Sequence, residues 1–134
     1  MQPSECSLAE AFRRLEVEAE VAVNRLNEQH PKRPDALEAK VEFAPTAVDR
    51  FMVILTPIPK FRVEFTLFVD PPNIAVSEHS EGHEDIGRRL KFEARNPVSR
   101  GGECRLHIGE DEHNIAQITE LALRDIPERL IHGL

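Results

Sequence analysis

The sequence predicts an α+β fold: an N-terminal helix packed on a four-stranded antiparallel meander, then an irregular loop and a C-terminal helix. Apolar residues recur about every 3.6 residues near the N-terminus and every second residue from Leu37 onward, which indicates a helix followed by strands. The connections between strands are too short for helical crossovers, so neighbouring strands run antiparallel. Each helix has one apolar stripe and the sheet has one apolar face, so a two-layer sandwich buries them together. The 134 residues are expected to form one domain, residues 1–134.

The first helix is predicted from Ser7 to Gln29. Ser7 and Glu10 have the spacing of a capping box, in which the two side chains satisfy backbone N–H groups of the first turn. Prolines that follow the helix end it, since proline lacks the N–H that a helix interior needs. Arg13 and Arg14 fall on the solvated face. The apolar stripe comprises Leu8, Phe12, Leu15, Ala19, Ala22 and Leu26.

Four strands are predicted in the next part of the chain. Residues 39–43 alternate, residues 51–55 form a continuous apolar run, and residues 74–77 form the fourth strand. The third strand is the clearest, and five of its side chains are expected to share one buried face: Phe61, Val63, Phe65, Leu67 and Val69. The proline-containing runs 57–59 and 70–73 are predicted turns, because proline cannot donate to a central ladder.

The C-terminal part of the chain is less regular. The polar, acidic run 78–85 is predicted to be a loop. Residues 86–95 match either a short helix or a strand, and we favour the strand. Residues 103–108 are predicted to be extended, and a helix is predicted from Asn114 to Ile126. The apolar face of that helix carries Ile115, Ile118, Ala122 and Ile126.

The composition excludes several classes of protein. Apolar residues make up 40% of the chain and charged residues 31%, as in an ordinary globular protein. A net charge of −7 argues against a nucleic-acid partner, which needs clustered basic residues. No apolar run approaches the ~20 residues of a membrane span, and the N-terminus has no signal-peptide character. We therefore expect no membrane association and a cytoplasmic location.

The chain has two cysteines, too few for a disulfide framework. Cys6 lies in a polar N-terminal stretch and is expected to be incidental. Cys104 is then expected to be a free thiol in a reducing compartment, either as a small core residue or as a reactive group.

One group of residues contains the side-chain types that nucleophilic catalysis needs. Asn96 stands eight residues before Cys104, and Gly101 stands three residues before it. A thiol after a glycine turn supplies a nucleophile, and an upstream carboxamide supplies a donor for an oxyanion. Two other interpretations remain open. Cys104 shares strand parity with Leu106 and Ile108, which favours a core position, and Asn96 precedes a proline, which is typical of a turn.

A metal site is not expected. His79 and His83 lie among acidic residues, but their spacing brings them to one side only on a helix, and the glycine between them disfavours a helix. This run is interpreted as a solvated loop.

The predicted order of elements and five local features resemble the ubiquitin-conjugating enzymes. The features are the run Ala11-Phe12-Arg13-Arg14-Leu15-Glu16-Val17-Glu18, the double proline Pro71-Pro72 before the fourth strand, the eight-residue spacing from Asn96 to Cys104, Gly101, and a helix beginning at Asn114. There are also departures. Ala94-Arg95-Asn96 replaces the family's His-Pro-Asn, and residues 79–90 look like an insertion. A shortened, divergent, bacterial-type member of the family would have these properties.

The resemblance implies a UBC-like two-layer sandwich and a transferase. Cys104 would accept a ubiquitin-like modifier from its activating enzyme as a thioester and pass it to an amine of a protein target. Asn96 would stabilise the oxyanion, and Arg13 and Arg14 would dock the activating enzyme. No cofactor is implied.

Two alternatives are non-catalytic. One is a protein-interaction module of the same superfold, such as an RWD domain or a cysteine-less conjugating-enzyme variant. The other is an acidic secretion-type chaperone. The position of the Cys104 sulfur distinguishes the three: an exposed thiol favours the enzyme, a buried thiol favours the interaction module, and a buried thiol in a two-fold dimer favours the chaperone.

Overall fold

The computed structural model describes residues 6–29, 40–56, 61–80 and 88–127. In these segments the chain forms two helices and seven strands, which are, in order, α1 (Leu8–Gln29), β1 (Lys40–Ala47), β2 (Arg50–Thr56), β3 (Phe61–Val69), β4 (Pro72–Ser80), β5 (Arg88–Arg100), β6 (Glu103–Ile108), β7 (Asp111–Asn114) and α2 (Ile115–Ala122). The prolines at 31 and 34, the turn predicted at 57–59 and the part of the acidic run that contains His83 lie outside the described residues.

The seven strands form one sheet in which each strand lies beside the next along the chain, and every neighbouring pair is antiparallel. The predicted fold, a four-stranded meander in a UBC-like two-layer sandwich, is therefore wrong. The four predicted strands are present as β1 to β4, but three further strands, β5 to β7, occupy the part of the chain that was predicted to contain the active-site loop.

The strand β5 explains most of this difference. The strand predicted at 86–95 is confirmed over residues 88–95, but it continues to Arg100. Arg95 pairs with His107 and Val98 pairs with Arg105, so β5 contains one extra residue, a β-bulge. Asn96 lies in this bulge with a φ of 54°, a left-handed conformation that asparagine tolerates better than most residues. The Asn-Pro pair is thus a bulge within a strand and not a loop.

The Gly-Gly pair is a hairpin turn. Gly101 and Gly102 have φ values of 60° and 83°, and they are the two residues between β5 and β6. Two-residue hairpin turns with positive φ at both positions match the twist of antiparallel strands, and glycine adopts them without steric penalty. The chain therefore reverses at this pair and continues as β6, which confirms the extended structure predicted for residues 103–108.

The predicted first helix is confirmed, since α1 spans Leu8–Gln29. Ser7 Oγ accepts a hydrogen bond of 3.0 Å from the backbone N–H of Glu10, as an N-cap does. At the other end, the side chain of Asn27 bonds to both backbone groups of Val41 in β1, at 2.8 Å and 3.2 Å. A helix side chain thus covers backbone groups of the edge strand β1. Covering an edge strand is one way that proteins protect a sheet from pairing with another chain.

The core lies between α1 and the sheet. Phe12 of α1 packs on Phe51 of β2 with ring centroids 5.2 Å apart, and Phe51 stacks on Phe65 of β3 at 4.4 Å. The shared buried face predicted for β3 is confirmed for its first three members, Phe61, Val63 and Phe65. Leu67 is half-buried and Val69 is 84% exposed, because this end of β3 leads into the turn before β4.

The predicted second helix is present but shorter: α2 begins at Ile115, one residue after the predicted start. Asn114 caps α2: its side chain accepts a hydrogen bond from the backbone N–H of Gln117, and the Gln117 side chain accepts one from the backbone N–H of Asn114. The helix ends at Ala122, and a turn follows. Ile118, Ala122 and Ile126 are buried in the same core as α1, so both helices cover one face of the sheet. Neither described helix combines the length and apolar character that crossing a membrane requires.

Candidate functional site

Cys104, the predicted nucleophile, is buried. It is the second residue of β6, its side chain faces the core, and it is 1% exposed. Its sulfur is bonded to that of Cys6, and the two Cα atoms are 5.4 Å apart, within the usual range for a disulfide. The expectations that Cys104 is a free thiol and that Cys6 is incidental are therefore wrong, because the two cysteines form a pair.

The local structure around the pair follows from the β5–β6 hairpin. The Gly-Gly turn sets Cys104 opposite Ser99, and Ser99 Oγ accepts a hydrogen bond of 2.8 Å from the backbone N–H of Cys6. Cys6 lies two residues before Leu8, the first residue of α1. The start of α1 is thus attached to both strands of one hairpin, by a covalent bond to β6 and a hydrogen bond to β5.

The structure does not bring Asn96 and Cys104 together in one exposed site. Asn96 is exposed, and its backbone oxygen accepts a hydrogen bond of 2.9 Å from Nδ1 of His107. His107 is three residues along β6 from Cys104, about 10 Å at the rise of a strand. The oxyanion role of Asn96 stays a prediction, while its backbone forms the bulge of β5.

Arg13 and Arg14 lie on the exposed face of α1, as predicted. Both bind the carboxylate of Glu10, at 3.2 Å and 3.0 Å. The hydrogen bond from Arg14, together with the charges of both arginines, holds the pKa of Glu10 below its ordinary value. Their docking role stays a prediction, but their position on an open helix face leaves them accessible.

An open groove of about 1020 Å³ lies along α1, and we call it the α1 groove. It is bounded by the helix, by β1, by the β5–β6 turn with the start of β6, and by the start of α2. The described residues that line it are Glu10, Arg13, Arg14, Glu16, Val17, Glu18, Glu20, Phe43, Pro45, Gly102, Glu103, Cys104, Asn114, Ile115 and Ala116.

The α1 groove combines apolar surface with negative charge. Val17 is 64% exposed, and Phe43 and Ile115 are only half-buried. Five glutamates line the groove, against two arginines that are both paired with Glu10. The surface is therefore suited to a ligand that carries apolar side chains and positive charge.

A second polar cluster surrounds Glu112 in β7. Arg100 donates two hydrogen bonds of 2.8 Å to its carboxylate, and Arg105 and His107 each lie 3.7 Å away. The bond from Arg100 is the main reason why the pKa of Glu112 is lowered and that of Arg100 is raised. This cluster joins β5, β6 and β7, and its geometry is that of a structural network, since a positive side chain already occupies each carboxylate oxygen.

A third cluster lies between the sheet and the end of α2. Glu78 in β4 is nearly buried, and its carboxylate binds Lys91 at 2.7 Å and Arg89 at 2.9 Å. Lys91 also lies 3.5 Å from Asp125, just after α2. A buried carboxylate must be paired to be tolerated, and this pairing connects α2 to the sheet. The predicted loop at 78–85 is corrected here, because residues 78–80 belong to β4.

Sequence reasoning missed the pairing of Cys6 with Cys104 and the Glu112 network. The parity of Cys104 with Leu106 was the available signal for burial, and alternating charges in residues 100–112 were the signal for a polar strand face. Within the four described segments, no group of three or more His, Cys, Asp or Glu side chains is arranged to hold a metal ion. Comparison of the chain with protein-family models, with curated proteins and with solved structures yields no match.

Proposed function

We propose that this domain is a non-catalytic protein-binding module that receives a segment of a partner protein in the α1 groove. The observation that carries the proposal is the contrast between the two candidate sites: Cys104 is 1% exposed and bonded to Cys6, whereas the α1 groove is open and lined by exposed apolar and acidic side chains.

The thioester mechanism needs a thiolate that can reach a carbonyl carbon. A sulfur in the core that is already bonded to Cys6 does not meet this requirement. The conjugating function, with its modifier and activating enzyme, therefore stays a prediction that gains no support from this geometry. Burial of the Cys104 sulfur is what we expected for a non-catalytic interaction module, but the sulfur is in a disulfide and the UBC-like fold expected for that module is not the fold observed.

The chemistry of the groove favours a basic partner over a second copy of the chain. The chain has a net charge of −7, and the groove itself is acidic, so two copies facing each other through it would repel. A segment with lysine or arginine beside apolar residues would pair with glutamates such as Glu16 and Glu20 and cover Val17. The cytoplasmic location expected from the sequence is part of this proposal.

The test is selection of peptides from a random library by the folded domain, followed by binding measurements with labelled copies of the enriched peptides. We expect enriched peptides to combine basic and apolar residues. Val17→Lys places a positive charge on the exposed centre of the groove wall, and should weaken their binding at least about tenfold, the effect of ~1.4 kcal/mol.

The control is Val48→Lys, because Val48 is 98% exposed in the β1–β2 turn and does not line the groove. Lysine favours helices more than valine does, so Val17→Lys is not expected to disturb folding. Failure to enrich any peptide, or equal binding by Val17→Lys and Val48→Lys, would contradict the proposal.

A further inference from the structure

We infer that the Cys6–Cys104 pair is a reversible redox clamp that holds the start of α1 in the form that binds the partner; this inference rests on the binding function proposed for the α1 groove. The two cysteines are the only ones in the chain, and they are 98 residues apart. The cytoplasm, the location proposed above, is a reducing compartment, and a disulfide there is usually transient or redox-sensing and not purely structural.

The clamp is connected to the groove at two points. Cys104 itself lines the α1 groove, and Cys6 directly precedes Ser7, the N-cap of α1. Within the first two turns after this cap lie Glu10, Arg13 and Arg14, which form one end of the groove wall. A covalent bond at Cys6 therefore fixes the position of groove residues that lie one to two helical turns away.

Core packing holds the helix from Ala11 and Phe12 onward, whereas Leu8, in its first turn, is only partly buried. The backbone N–H of Cys6 donates to Ser99, and the first polar side chains of α1, Glu10, Arg13 and Arg14, bond to one another. Helix ends fray when tertiary contacts are lost, since a free terminal turn keeps few of its hydrogen bonds. Reduction is expected to loosen the first turn and lower the affinity for the partner.

The chemistry of opening begins at Cys6, because Cys6 is 8% exposed and Cys104 only 1%. A thiolate of a dithiol reductant attacks Cys6 Sγ, the bond to Cys104 breaks, and the Cys104 sulfur takes the electron pair and a proton. The second thiol of the reductant then displaces Cys6 from the mixed disulfide. The dithiol ends as a cyclic disulfide and the protein as two thiols, and oxidised glutathione reverses the reaction through the equivalent exchange.

The experiment compares oxidised and dithiothreitol-reduced protein, using a labelled peptide that binds the α1 groove as probe. Alkylation with mass detection establishes the state of both cysteines. We expect the reduced protein to bind the probe several-fold more weakly, and the backbone amides of residues 8–14 to exchange hydrogen faster. Re-oxidation with oxidised glutathione should restore both values.

Cys6→Ser provides the matched variant, since Cys6 does not line the groove. It should bind with the affinity of the reduced protein and be insensitive to dithiothreitol. Equal affinity of the oxidised and reduced forms, or ready alkylation of both cysteines without reductant, would refute the clamp and leave the binding function standing. If no peptide binds either form, the binding function fails and the clamp fails with it.

Discussion

Removal of the Cys6–Cys104 bond should destabilise the protein by a calculable amount. The bond closes a loop of 98 residues. The chain-entropy relation gives about 16 cal/mol/K for such a loop, which is about 4.7 kcal/mol at 25 °C. Measured losses for native disulfides fall at about 2–5 kcal/mol, and the unfolding free energy of a domain is about 5–15 kcal/mol. Loss of the bond should therefore remove a large part of the total stability.

Urea unfolding followed by circular dichroism measures this loss. Reduced wild type and Cys6→Ala should have similar midpoints, both well below that of the oxidised protein, and dithiothreitol should not alter Cys6→Ala further. Cys104→Ala should lose slightly more than Cys6→Ala, because Cys104 is 1% exposed and Cys6 8%, so the cavity left at Cys104 is more fully enclosed. If reduction leaves the midpoint of the wild type unchanged, the bond does not constrain the unfolded chain and the argument is refuted.

Three further outcomes are expected. Phe51→Ala should cost about 3–5 kcal/mol, since Phe51 is fully buried against three other aromatic rings, whereas Phe68→Ala, with Phe68 43% exposed, should cost under about 1 kcal/mol in the same urea assay. Asn96→Val should destabilise by about 1–2 kcal/mol because Asn96 has a φ of 54°, while Asn96→Gly should be nearly neutral; equal effects would exclude the left-handed conformation. Arg100 lowers the pKa of Glu112, so their pairing stabilises the fold above the ordinary glutamate pKa of about 4.3 and is lost as the pH falls through the lowered value. Stability measured against pH should fall less steeply in acid for Glu112→Gln than for wild type, and parallel curves would argue against the pairing.

The elements that were predicted correctly are those whose signal is local. The helix from Ser7 and the third strand each depend on residues within one or two turns or along one strand, where capping and hydrophobic periodicity act directly. The same holds for the start of the second helix, which was predicted at Asn114, the N-cap of α2. In these elements the sequence pattern and the structure agree, because the face that is buried in the core is also the face that carries the periodic apolar residues.

The continuation of β5 to Arg100, the strand β7 and the extension of the sheet through β5 to β7 were missed, because the local signals in this part of the chain point elsewhere. Asn-Pro and Gly-Gly ordinarily indicate loops, yet Asn96 lies in a bulge and Gly101 and Gly102 form a two-residue hairpin turn. These residues interrupt the periodicity without ending the sheet. Whether such a segment continues as a strand depends on a neighbouring strand that offers free backbone groups, and for residues 95–100 that neighbour is β6.

The candidate site was changed by contacts between distant parts of the chain. Spacing alone suggested an active-site loop around Cys104, but the spacing is equally that of a β-hairpin whose second strand faces the core. The partner of Cys104 is 98 residues away, and no local pattern relates the two cysteines. The acidic wall of the α1 groove could be read from the sequence of the helix, whereas its apolar side requires β1 and α2 to be in place.

By itself the sequence determined the helix at the N-terminus, the first four strands and the acidity of the surface, because periodicity, capping and charge are properties of neighbouring residues. Only the tertiary structure decided that the sheet has seven strands, that Cys104 is buried against Cys6, and that an open groove lies along α1. These features depend on which distant surfaces meet. That choice is made by burial of the whole apolar face of the sheet, to which every strand contributes and which no single segment specifies.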